Sequence, residues 1–189
     1  MLDTKDKIIA IASKLAQTLG FNAFSYADIS AAVGIRKASI HHHFPAKTDL
    51  GEAMVTAYRE AFAEHLREID AKGGKSSARL KRYAGLYKTS LLEERMCLCG
   101  MLASDVLTLP GSIKSQVGAF FADHAAWIAR VLEEGRRAGE LHFDGLALSR
   151  ARVFLAALQG ALLVARGMED KDFFDATVQE LIAGLTRKS

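Results

Sequence analysis

The stretch GFNAFSYADISAAVGIRKASIHHHFPAKTDL, residues 20–50, decides the fold. Ser25, followed three residues later by Asp28, resembles a capping box with a shortened acid and so starts a helix. That helix, Tyr26 to Val33, buries Ala27, Ile29 and Val33, and Gly34 breaks it. A further helix, Lys37 to His42, has to end before Pro45, because the residue preceding a proline disfavours helical dihedrals. Two short helices joined by Gly34-Ile35-Arg36 make a helix-turn-helix pattern, with Ile35 and Ile40 spaced to face the interior. On spacing alone, the pair also suits a plain helical bundle.

The same stretch holds three consecutive histidines, His41, His42 and His43. Neighbouring residues on a helix point about 100° apart, so the three imidazoles cannot converge on one ion. The run therefore predicts no metal site. It lies directly after Arg36 and Lys37, in a segment rich in hydrogen-bond donors.

Outward from this stretch the chain reads as helix almost throughout. Upstream, Ile8, Ile9, Ala12, Leu15, Ala16 and Leu19 keep a helical rhythm, with Asp3 or Thr4 as cap and Gly20 as stop. Downstream, a long helix runs from Lys47 to Lys72, ended by Gly73-Gly74, and the next, Ser77 to Glu94, carries Leu80, Tyr83, Ala84, Tyr87 and Leu91 on one face. MCLCGMLASDVLTLP reads as a short buried helix halted by Pro110. Ile113, Val117, Phe120, Phe121, His124, Ile128 and Leu132 form the stripe of another helix, ending near Gly139, and two more span Leu146–Arg166 and Lys171–Arg187. The expected fold class is all-α, with about nine helices.

Composition agrees: half of the 189 residues are apolar and only two are proline. No uninterrupted apolar run approaches the ~20 residues of a membrane span, and MLDTKDK lacks the apolar core of a signal peptide, so the expected location is the cytoplasm, with no membrane partner. The net charge of +3 is distributed unevenly. Residues 1–50 carry six Lys/Arg against four acids, and residues 72–95 carry seven against two. Local basic surfaces of this kind suit a polyanion, although scattered solvated charges give the same count. The two cysteines, Cys97 and Cys99, form neither a disulfide framework nor a four-ligand zinc site.

Residues 20–50 resemble the amino-terminal DNA-binding segment of the TetR family of bacterial transcriptional regulators. The resemblance rests on Gly20-Phe21, Ser25, Asp28-Ile29-Ser30, Gly34-Ile35-Arg36-Lys37-Ala38, Ile40-His41-His42-His43-Phe44, Lys47 and Leu50. It implies a DNA-binding domain over 1–50 and an effector-binding and dimerisation domain over 51–189. Lys37, Ser39 and His41 would project into the major groove, with Arg36 and His42 at the backbone and Ser25 and Tyr26 contacting phosphate. His43 would pack between helices, and Lys47 would open the long helix whose backbone N–H groups favour an anion. Ala38 stands where glycine is common, which keeps the backbone from its closest approach to DNA but offers a methyl to thymine. At position 41 an imidazole replaces a common phenol.

The resemblance further implies a homodimer on double-stranded operator DNA, usually a repressor, released by a small-molecule or thiol-reactive inducer. The last two helices supply Ala156, Ala157, Gly160, Ala161 and Ala165 as a small-residue face, with Phe154, Leu158, Leu162, Phe174, Val178, Leu181 and Leu185 as apolar area. Candidate effector contacts are Tyr83, Tyr87, Met96, Met101, Phe120, His124, Trp127 and Phe154, all residue types that equally suit a core. Cys97 and Cys99 are candidate thiol sensors beside Arg95, or small buried hydrophobes. No cofactor is expected. No phosphate loop, nucleophile motif or paired metalloprotease motif is present. The rival readings are a helical thiol oxidoreductase on the two cysteines and an interaction bundle that binds no DNA.

Overall fold

The computed structural model describes residues 3–187. Among these residues the chain is all-α: α1 (Thr4–Leu19), α2 (Tyr26–Val33), α3 (Lys37–His43), α4 (Lys47–Lys72), α5 (Ser76–Leu92), α6 (Leu98–Ser104), α7 (Gly111–Arg137), α8 (Ala147–Gly167) and α9 (Lys171–Thr186), with 3-10 turns at Phe21–Ala23 and Val106–Thr108. Two compact units emerge, one holding residues up to 62 with 95–120, the other 63–94 with the residues from 121 onward.

In the first unit the helix ends follow the local chemistry. Asp3 caps α1 by accepting from the Asp6 amide at 2.7 Å. Gly20 (φ 102°) and Gly34 (φ 77°) close α1 and α2 in conformations that residues with a Cβ rarely adopt. The capping box forms: the Ser25 amide donates to Asp28 Oδ2 at 2.7 Å, and Ser25 Oγ accepts from the Ala27 amide at 3.2 Å. Helix α3 runs one residue further than its spacing suggests, through His43, and Phe44 ahead of Pro45 is extended. Ile8, Ala12, Ile29, Ile40, Leu50 and Met54 are fully buried.

Two features of this unit depart from expectation. Leu19, placed on the inner stripe of α1 by periodicity, is 58% exposed, while Gln17 is buried. Gln17 Nε2 donates to the Met96 carbonyl at 2.9 Å and the Met96 amide donates to the Gln17 carbonyl at 3.1 Å, so a polar side chain is satisfied where a leucine would have been. The stretch up to Pro110 is two pieces rather than one helix. Ser104 Oγ turns back onto the Met101 carbonyl at 2.6 Å where α6 ends, and the following 3-10 turn leaves Leu107 exposed.

In the second unit Leu80, Tyr83, Ala84, Tyr87 and Leu91 of α5 are all buried, as the stripe predicts. Helices α8 and α9 pair as a hairpin, α9 capped by Asp170, which accepts from the amides of Asp172 and Phe173. Gly135 on α7 allows a close approach: a Cβ there would lie 2.6 Å from Leu141 Cδ1 and 2.7 Å from Ser76 Cβ. Phe154, Leu158, Leu162, Phe174 and Leu185, offered by the sequence as interface area, fill this unit's own core. The apolar side chains α8 leaves outside are Leu148, Val153, Leu163 and Val164. Over an 18-residue window, α8 is apolar enough to cross a membrane, against the reading that no such segment occurs. Arg150, Arg152 and Arg166 interrupt the run, which is why it escapes notice as an unbroken stretch. A core helix meets the same compositional test.

Candidate nucleic-acid interface

Helix α3 presents its donors to solvent. Arg36, Lys37, Ala38, Ser39, His41 and His42 are exposed, whereas Ile40 is fully buried and anchors the helix from below. Among the described residues, the side chains of Arg36, Lys37 and Ser39 have no hydrogen-bond partner. The His42 ring meets the ring of His43 at 5.4 Å. His41 lies against Tyr26 with ring centroids 4.7 Å apart, and its Nδ1 is 3.4 Å from the Pro45 carbonyl. His43 is half-buried beside Phe44. Among the described residues no cluster of His, Cys, Asp or Glu is arranged to hold a metal.

Three of the residues expected at phosphate are otherwise engaged. Ser25 Oγ donates to Asp28 Oδ2 at 2.8 Å. These bonds from the Ser25 amide and hydroxyl hold the Asp28 carboxyl below its ordinary range, with Lys37 adding to the effect. The Tyr26 hydroxyl donates to the Phe44 carbonyl at 2.9 Å and ties α2 to the end of α3; burial, then Asp49, pushes its pKa up. Lys47 turns inward, donating to the carbonyls of Phe21 at 2.6 Å and Phe24 at 2.5 Å. At the same helix start the Ala46 amide donates to Asp49 Oδ2 at 2.8 Å, so a carboxylate already occupies part of that terminus.

Part of the basic segment 72–95 is taken up by the fold, while Lys72, Lys75 and Lys81 stay exposed. Arg79 pairs with Asp70 and Glu134, and Arg130 meets the same two acids at 2.5 and 2.9 Å. These partners hold both carboxyls down. Arg82 donates to the Ile69 and Gly73 carbonyls at the end of α4, and Lys88 pairs with Asp175 at 2.6 Å. Charge counting finds the segment but not its acidic partners, which lie as far as 87 residues away.

The candidate effector residues divide between the units. Tyr83, Tyr87, His124 and Trp127 come together in the second. The Tyr83 hydroxyl is 3.0 Å from that of Tyr87, and its ring stacks on Trp127 at 5.3 Å. Trp127 Nε1 donates to Asp70 at 3.1 Å, joining this trio to the charged network. Phe154 is buried in the same unit, whereas Met96, Met101 and Phe120 belong to the first. A groove of about 520 Å³ along α7 and α8 is lined by other side chains, among them Phe121, Ala125, Leu155 and Gln159, and of these four sequence patterning singles out Phe121 alone, as part of an apolar stripe. Cys97 and Cys99 are buried and unbridged. Burial, then Cys97, pushes the Cys99 thiol far up, with Arg59 opposing only in part.

A buried anchor beneath a row of free cationic and polar donors on a short helix, itself braced by a capped partner helix, defines a helix-turn-helix DNA-binding protein. The family model for bacterial regulatory proteins of the tetR family matches residues 8–54. The crystal structure of a TetR-family transcriptional regulator from Agrobacterium tumefaciens is 36% identical, with a TM-score of 0.93 and 97% of each chain covered. Transcriptional regulator AcuR of Cereibacter sphaeroides is 26% identical over 78% of this chain and 69% of its own length. The transcriptional repressor DhaR of a Mycobacterium species is 25% identical over 86% of this chain and 84% of its own. The chain belongs to the TetR family and is a DNA-binding transcriptional regulator.

Proposed function

We propose that the protein is a homodimeric repressor, acting in the cytoplasm by binding rather than by catalysis, that leaves a roughly palindromic operator when an effector occupies its body. The observation that carries the DNA half is the exposed row Arg36, Lys37, Ser39 and His42, donors that the described residues leave available to phosphates and base edges. Ala38 offers its methyl in the same row, and His41 stands at its edge. Two copies place two such helices on half-sites one or more helical turns apart.

The exposed Val153, Leu163 and Val164 of α8, flanked by Ala156 and Gly160, support the dimer. For the effector, the buried hydroxyls of Tyr83 and Tyr87 with His124, beside the Trp127 ring, offer polar recognition within an apolar surround. An apolar molecule with one or two hydrogen-bonding groups suits them better than an electrophile suits the buried thiols.

The test is anisotropy binding to duplex DNA from upstream of the protein's own gene across a salt series. Wild-type affinity should fall linearly on logarithmic axes, and Arg36→Ala should lower the slope by about 0.9 for the lost phosphate contact. Binding that ignores salt would leave an interaction bundle as the better reading.

A further inference from the structure

Lys47 stands at the first residue of α4, where a cation facing outward would meet phosphate. Its side chain does not face outward. Nζ donates to two backbone carbonyls, Phe21 at 2.6 Å and Phe24 at 2.5 Å, and sits 4.8 Å and 4.2 Å from the centroids of the same two rings. Those rings meet edge to face at 5.9 Å. One turn along α4, Gly51 backs the Phe21 ring so closely that a Cβ there would fall 3.0 Å from Phe21 Cζ. The ammonium is thus half-buried between two carbonyls and two aromatic faces, with two of its three N–H groups committed. Burial draws its pKa down while Asp28 holds it up.

The rest of the head is closed by other bonds. Tyr26 ties α2 to the end of α3 through the Phe44 carbonyl, and Ser30 Oγ donates to the Ile35 carbonyl at 2.5 Å across the turn. Neither reaches α4. Lys47 is the side chain that joins the start of α4 to residues 21–24, directly ahead of the Ser25 cap from which α2 grows.

We infer that Lys47 is the positioning residue of the helix-turn-helix: its ammonium fixes the loop before α2 to the first turn of α4, and it does not itself contact DNA. Carrying the cation to a phosphate would abandon both carbonyls and both ring faces at once. The spacing of α2 and α3 from α4, and hence the angle at which α3 enters the groove, depends on this clamp.

The inference uses the operator-binding reading for its DNA readout alone, and substitution separates the two roles. A phosphate contact survives Lys47→Arg, because a guanidinium binds phosphate at least as well as an ammonium. A clamp does not survive it, because the longer side chain and wider guanidinium do not fit the compact space that Nζ fills between two carbonyls and two rings. Lys47→Arg should therefore weaken operator binding by about tenfold and lower the thermal midpoint, with the salt slope unchanged. Lys47→Met should behave likewise, whereas Arg36→Met should flatten the slope and leave the midpoint alone. Wild-type affinity and midpoint in Lys47→Arg, or a flattened slope with an unchanged midpoint in Lys47→Met, would overturn the inference. Should the wild-type protein show no salt-dependent binding to duplex DNA, the operator reading fails. The midpoint of Lys47→Arg then decides the clamp by itself, an unchanged value rejecting it.

Discussion

The Tyr83 hydroxyl lies 2.7 Å from Nδ1 of His124, and both side chains are buried, so the core rather than water sets the charge of this imidazole. Burial pushes the His124 pKa from 6.5 down to about 4, with Asp123 opposing. The folded pKa is the lower one. Between the two values the unfolded chain therefore binds a proton that the folded chain refuses, and stability falls as the pH drops through this window. The loss approaches about 3 kcal/mol near pH 4 and is absent above the unfolded value. Urea midpoints measured from pH 7.5 to 4.5 should show this slope, and His124→Asn should flatten it. A variant that tracks the wild type at every pH would remove His124 from the account.

Gly135 makes a second prediction. An alanine there meets Leu141 and the Cβ of Ser76 at once, and the Ser76 amide is itself held by Glu140 at 2.7 Å. The helix-propensity gain of Gly→Ala, about 1 kcal/mol, is smaller than the cost of overpacking against a wall that cannot retreat. Gly135→Ala should destabilise by about 1–2 kcal/mol, and Gly118→Ala, with nothing within 4 Å, should stabilise. Thermal melts of the two variants settle the order.

The thiols give a third. Cys97 and Cys99 are buried, and the Cys99 thiol is held far above its ordinary value, so the attacking thiolate is scarce in the folded protein. A disulfide reagent should label them slowly in buffer and at once in denaturant, and a mild oxidant should leave operator binding unchanged. Fast native labelling with reversible release, lost in a Cys97→Ser, Cys99→Ser double variant, would instead establish a thiol-responsive inducer mechanism.

A fourth concerns the exposed histidines. His41 and His42 are exposed on the helix proposed to face DNA. A His41→Ala, His42→Ala double variant should weaken operator binding at fixed salt by about threefold. Equal affinities for the variant and the wild type would rule the histidines out as DNA contacts.

What the sequence made legible was local. The Ser25–Asp28 box, the glycines that stop α1 and α2 and the stripe of α5 each declare themselves within a few residues. The exposed donors of α3 follow from motif and spacing together. What stayed hidden depends on distant partners. Gln17 could not be known as buried without Met96, 79 residues away. Nor could Lys47 be turned inward by any rule of helix starts, since its acceptors lie 23 and 26 residues upstream. Arg79 looked like free charge because Asp70 and Glu134 reach it from other helices.

The pairing of Gln17 with Met96, and of Asn22 Nδ2 with Thr108 Oγ1 at 2.9 Å, bears on how regulators of this kind can be recombined. The recognisable motif is a continuous string, but the piece that folds around it is assembled from two strings, the second beginning at Arg95. A chimaera grafted at residue 50 would carry the reading helix and leave behind the Met96 backbone and the Thr108 hydroxyl that Gln17 and Asn22 answer to. Exchanging specificities between such proteins therefore calls for transplanting both segments, and shuffling by a single crossover would select against itself.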